Sequence, residues 1–314
     1  MRIPKIFKSY KKCKYCFFYD GTSKIRIFLN IVRFLFYKLI NKRFVIAKVH
    51  GNKMLLDLNV GMSKSLLICN TRELLDTDII MDEIKDDMNV LDVGANIGYY
   101  AILEASLLNN GKVYAFEPDP RNIEMLKKNI KINNFSQKIK LYPYAIAEKN
   151  CIREFNLSEQ TNLSSFTGKQ ENVGFVKVNC VKLNNFAKEK NIDFIRMDIE
   201  EYECMAIAGM LDFLRIKQNL KLLIEVHPST FNMGEFSFLE ELASLEKFGF
   251  RVKYLISAGE ARPDKIIQRG YKPIKVAREG ERNRGLYKNV KMGDLISFLK
   301  NDTKIVRSIL LEKI

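Results

Sequence analysis

Short apolar runs alternate with amphipathic stretches through the middle of the chain. NVLDV, KVYAF, KIKLYPYAI, DFIRM and LKLLIEV read as strands. A helix runs through AILEASLLNN, another opens at Asp119-Pro120, and a third begins near residue 201. Asp119 suits an N-cap and Pro120 the first helical position, and Ile123, Leu126 and Ile130 then share one face. Strands alternating with helices imply a doubly wound, mainly parallel α/β sheet. Nearer the N-terminus, FVIAKVH and KMLLDLN flank Gly51-Asn52, which predicts a hairpin over about 44–58. Before it, residues 24–43 place Arg26, Asn30, Arg33, Tyr37 and Asn41 on one helical stripe, with a mostly apolar girdle around them.

These patterns divide the chain into a basic helix and hairpin cap at 1–74, a main domain at 75–260 and a basic extension at 261–314 that resists reading. Arg33 and Lys38 interrupt the first helix before it reaches the length of a membrane span. Two readings of it stand: a basic amphipathic helix on an anionic membrane surface, or a helix packed on protein. The formal charge of +15 inclines the chain toward anionic partners without choosing among nucleic acid, acidic lipid and phosphorylated substrates. Six scattered cysteines and no secretory signal point to a reduced, cytoplasmic setting, peripheral at the inner membrane surface if the helix binds there. Cys13 and Cys16 form a lone CxxC without the second close pair that a zinc site needs. Oligomeric state is not legible.

The chemistry begins at VLDVGANIGYY, residues 90–100. A strand, a glycine turn and a helix start together offer amide donors and a helix N-terminus, near Tyr99, to a negative group. A dinucleotide fingerprint starting at Gly94 needs glycines at 96 and 99, where this chain has Asn96 and Tyr99. Pyrophosphate is therefore poorly served. The next strand ends in VYAFEPDP, with Pro118 following Glu117, and Glu117 falls where a carboxylate accepts both ribose hydroxyls of an adenosine. Adenosine with a short zwitterionic tail fits these features: S-adenosylmethionine.

VLDVGANIGYY, VYAFEPDPRNIEMLKKNIKINN, YPYAIAEKN, VKLNNFAKEKNIDFIRMDIEEYE and LLIEVHP, in that order, resemble the FkbM family of S-adenosylmethionine-dependent methyltransferases over about 57–228. The resemblance implies a Rossmann-like class I methyltransferase fold. It implies that Asp92, Gly94, Ala95, Asn96 and Gly98 form the cofactor loop, that Glu117 holds the ribose, and that Ala145 lies near the adenine. Glu73 matches a family acid, although Arg72 replaces the usual aromatic beside it. Arg196 stands where a lysine is usual, and Glu201 where glycine is. The family's acceptors are typically hydroxyl oxygens on sugars or natural products, so a glycan or small-molecule acceptor is expected.

A hydroxyl acceptor must lose its proton. His227 has the reference pKa nearest neutrality and is the first choice as general base, with Asp198 and Glu225 beside it at strand ends. The competing reading makes His227 structural. Asp198 and Glu200 raise the question of a metal, but no ligand spacing is diagnostic, and none is assigned. Cys204 and Met205 read as core, Phe17, Phe18 and Tyr19 as packing or interfacial anchors, and Asn162, Ser164 and Ser165 as a polar loop able to meet a sugar. An RNA acceptor suits the charge, but the segment after the fourth strand, MDIEEYE, lacks the Asn/Asp-Pro-Pro-aromatic motif of amino-group methyltransferases. A membrane-surface adaptor with a vestigial fold is the non-enzymatic alternative, opposed by the intact Asp92, Gly94, Gly98 and Glu117.

Overall fold

A computed structural model describes residues 20, 22–166, 172–200, 202–227, 236–259, 263–279 and 282–314. Cys13, Cys16, Phe17, Phe18, Tyr19 and Glu201 lie outside the described residues. The strands, in chain order, are β1 (Phe44–Val49), β2 (Asn52–Asp57), β3 (Asn89–Val93), β4 (Lys112–Phe116), β5 (Ile139–Tyr142), β6 (Ala145–Ile146), β7 (Cys151–Ser158), β8 (Asn172–Val181), β9 (Phe194–Met197), β10 (Leu220–Glu225), β11 (Arg251–Ser257), β12 (Lys275–Glu279), β13 (Arg282–Lys288) and β14 (Val306–Lys313).

Nine of them form one sheet in the order β12-β13-β11-β14-β10-β9-β3-β4-β5. From β5 to β10 every pairing is parallel, and from β10 outward every pairing is antiparallel. The parallel strands are apolar on both faces because helices cover both: Val90 packs into one core, and Leu91 into the other. The chain leaves β3 toward β4 on one side and returns to β9 on the other. The crevice beyond β3 and β9 is therefore the topological switch point, where doubly wound sheets bind ligands.

Asp119 caps the helix Pro120–Ile132 by accepting from Arg121 N at 2.9 Å, and Ile123, Leu126 and Ile130 are buried, as the pattern predicts. KIKLYPYAI does not form one strand. Pro143 follows β5, and Ala145–Ile146 joins a separate sheet ordered β6-β8-β7, whose side chains Phe155 and Val178 pack with Tyr202. Residues 261–314 are not an extension either. They supply β12, β13 and β14, and β14 lies between β10 and β11, so the chain's last strand completes the central sheet.

The hairpin forms, but its turn is His50-Gly51, one residue earlier than expected. Both have positive φ (47° and 84°), as a type I′ turn requires, and the His50 ring reaches inward, its Nε2 lying 2.9 Å from the Tyr99 hydroxyl. The first helix covers Lys24–Leu39 and buries Ile27, Ile31 and Phe34 on the domain. Cys204 is fully buried and Met205 packs on the core, as expected. No described helix is long and apolar enough to cross a membrane.

Candidate active site

At the switch point the β3 turn is held by two glycines for packing reasons. Gly94 (φ +85°) faces the carbonyl oxygen of Asp198, and an added Cβ would overlap it. Gly98 (φ +92°) faces Leu126 in the same way, so the turn sits tightly against both the end of β9 and the helix Pro120–Ile132. Beside this turn opens a cavity. Glu73, Gly94, Ala95, Asn96, Tyr99, Glu117, Pro118, Ala145, Asp198 and Glu225 all line it, together with Ser164 and Ser165. The side chain of Asn162 is outside the described residues. Asp92, Gly98 and His227 stand behind the wall.

Glu117 is nearly fully buried and accepts from Asn96 N (2.8 Å), Asp119 N (2.8 Å) and Asn122 Nδ2 (3.3 Å). Burial nevertheless pushes its pKa up to about 7. Its oxygens retain acceptor capacity toward the cavity, which suits two ribose hydroxyls. Tyr144, Ala145 and Ile146 line the same cavity. Glu73 presents a carboxylate that Arg72 (2.8 Å), Arg307 (3.0 Å) and the Tyr100 hydroxyl (2.8 Å) hold well below the usual carboxylate range despite burial. Two buried carboxylates and the apolar side chains that share the cavity lining match an adenosine with a cationic tail, so the residues present fit S-adenosylmethionine.

Tyr99 lines the cavity, but its hydroxyl donates to Arg72 O (2.8 Å), accepts from Arg72 N (3.1 Å) and lies 3.0 Å from Thr77 Oγ1. It ties the cap to the site. Asp92 is likewise a brace: its carboxylate is fully buried under the turn, where Arg196 Nη1 reaches both Asp92 Oδ1 and Gly94 O at 3.2 Å. Arg196 Nη2 also pairs with Asp198 Oδ2 at 2.5 Å, and the guanidinium lies 4.1 Å from the Tyr100 ring centroid. A lysine has no planar fork to join β3 and β9 this way, which gives the departure at 196 a physical purpose. Arg196→Met leaves the buried Asp92 without its partner and is expected to cost about 3–5 kcal/mol of stability. Urea denaturation reads this, and an unchanged midpoint would show that the brace is not needed.

His227 is not a free imidazole. Its Nδ1 lies 2.5 Å from Glu203 Oε1, and its Nε2 lies 3.2 Å from Glu225 Oε1 and 3.4 Å from Glu200 Oε2. Burial pulls its pKa down, but Glu203 and Glu225 outweigh that and hold it well above the ordinary value. The expected base titrating near 6.5 thus lies among carboxylates that favour its protonated form. Of those carboxylates, Glu225 is held low against burial by Arg307, with which it is also ion-paired. Asp198 is raised by burial and by Glu225, and Glu200 is raised by burial to about 7.

Asp198, Glu225 and His227 each offer one ligand atom within 4.8 Å of the others, the only such trio among the described residues. The guanidiniums of Arg196 and Arg307 already sit against two of the three. Arg307 was invisible to sequence reasoning: it enters from β14, far along the chain from Glu73 and Glu225, and only the sheet order brings them together.

The profile described as "Methyltransferase FkbM domain" matches residues 92–252, just over half of the 314-residue chain. No curated protein matches it. Among solved structures it is similar to the methyltransferase FkbM from Methylobacillus flagellatus, with 15% identity, TM-score 0.40, and coverage of 83% of this chain and 60% of that one. It is also similar to M. jannaschii TYW2 in complex with AdoMet (15%, TM-score 0.39, 87% of each chain) and to a putative rRNA methylase from Clostridium thermocellum (12%, TM-score 0.39, 78% and 98%). None of these structural likenesses bears on the acceptor. The matched span begins at the aspartate under the glycine turn and runs through both strand ends that wall the cavity, and on that match the chain belongs to the FkbM family of S-adenosylmethionine-dependent methyltransferases.

Proposed function

We propose that this protein transfers the cofactor methyl group to a hydroxyl oxygen of a glycan or glycosylated metabolite. The supporting observation is the row of carboxylates Asp198, Glu200 and Glu225 in the cavity wall beyond β9 and β10. Carboxylates accept hydrogen bonds from the hydroxyls of a polyol. Arg72, paired with Glu73, and Arg196, paired with Asp198, hold carboxylates of this wall in place.

S-adenosylmethionine, when bound, supplies an electrophilic methyl group on a sulfonium. The chain's part is to hold the acceptor oxygen in line and to take its proton. Asp198 is suited to taking the proton, since it faces the cavity beside the glycine turn and its raised pKa makes it a stronger base than an ordinary carboxylate. His227, fixed by Glu203, holds Glu200 and Glu225 in position and keeps positive charge behind the wall. Incubation with isotopically labelled cofactor tests the acceptor class. Label is expected in a neutral glycan fraction and not in RNA, and transfer to RNA alone would overturn the reading.

A further inference from the structure

The N-terminal helix Lys24–Leu39 carries two apolar faces. One, with Ile27, Ile31 and Phe34, is buried on the domain, and Asn30 anchors the same side by donating to Ile68 O at 3.0 Å. The other, with Ile25, Phe28, Leu29, Val32, Phe36 and Leu39, leaves each side chain 49–78% exposed. At 100° per residue, Lys24 borders this second face on one side and Arg26 and Arg33 on the other, and all three are exposed. Arg33 also donates to Ile46 O at 3.3 Å, which brings the outward-facing Phe44 and Ile46 of the hairpin alongside.

Along the sequence, charge is concentrated in the same stretch. Residues 1–56 contain 14 lysines and arginines and a single acid, Asp20, and so hold +13 of the formal +15. The rest of the chain carries only +2. Along the sequence, most of the positive charge that made RNA a candidate acceptor therefore precedes the catalytic domain.

We infer that this face docks in the plane of an anionic lipid bilayer. A helix of 16 residues is about 24 Å long, too short and too interrupted by charge to span. Lying flat, it places its apolar strip in the headgroup and acyl boundary while the bordering lysine and arginines reach back to lipid phosphates. A second copy of the chain is a poorer occupant, because a two-fold contact sets one basic cap against another. Docking needs no particular acceptor and does not rest on the proposed function.

Flotation of the full chain tests it, with phosphatidylglycerol-rich vesicles against pure phosphatidylcholine. The parent is expected to float with the anionic vesicles only. A Phe28→Ser/Val32→Ser/Phe36→Ser variant is expected to lose at least tenfold in partitioning, and a Lys24→Gln/Arg26→Gln/Arg33→Gln variant on the order of 10²-fold. Unchanged cofactor affinity in both variants shows that the fold is intact, since these side chains are exposed. Failure of the parent to float, or flotation indifferent to both variants, overturns the inference. Concentration-dependent self-association that the serine variant abolishes overturns it in favour of a second copy.

Discussion

Asp198→Asn is expected to slow single-turnover methyl transfer by about 10²- to 10⁴-fold while leaving cofactor affinity within a few-fold. The parent's rate should rise with pH, because a carboxylate base acts only after losing its proton. Burial and the neighbouring Glu225 lift Asp198 above the ordinary range, and burial brings Glu200 to about 7, so the rising limb belongs to this carboxylate group as a unit. His227→Asn separates the two candidate bases. The imidazolium lowers the pKa of both Asp198 and Glu200, so its removal should move the limb to higher pH and leave it present. Were His227 the base, the limb would vanish. Full activity in Asp198→Asn at all pH values would leave alignment alone as the source of the rate.

Glu117→Ala should weaken S-adenosylmethionine binding by at least tenfold. Two ribose hydroxyl bonds to a charged acceptor are worth roughly 1.5–3 kcal/mol each, and the variant also releases Asn96 N and Asp119 N, which the carboxylate now holds. Because Glu117 titrates near 7, affinity in the parent should decline as pH falls below that value and the carboxyl gains a proton. The variant should lack that dependence. Titration calorimetry across pH reads both effects, and NAD should not compete. Equal affinity in variant and parent would remove Glu117 from the ribose.

What could be read from the sequence is what local pattern determines. The strand, glycine turn and helix around 90–100 and the acid ending β4 are set by neighbours a few residues apart, and both stand where they were expected. Pairing across long distances was not legible. β14 inserts between β10 and β11, and that placement carries Arg307 to Glu73 and Glu225. Reading His227 from its residue type supplied a reference pKa, but the value is decided by Glu203, on the helix that follows β9. At the hairpin, turn preference favoured Gly51-Asn52, and the contact of His50 with Tyr99 accompanies a shift of one residue. The first helix was posed as membrane-facing or packed, yet its apolar girdle is wide enough for a buried face and an exposed one.

The nature of the bond formed to the transferred methyl group decides the chemistry. With isotopically labelled S-adenosylmethionine and a glycan acceptor fraction, the product's methyl carbon should give the resonance of an O-methyl ether and survive mild alkali. Asp198→Asn should nearly abolish that signal. Label found on nitrogen or carbon of a nucleobase, or released by mild alkali as an ester, would contradict methyl transfer to a hydroxyl at the Asp198 wall.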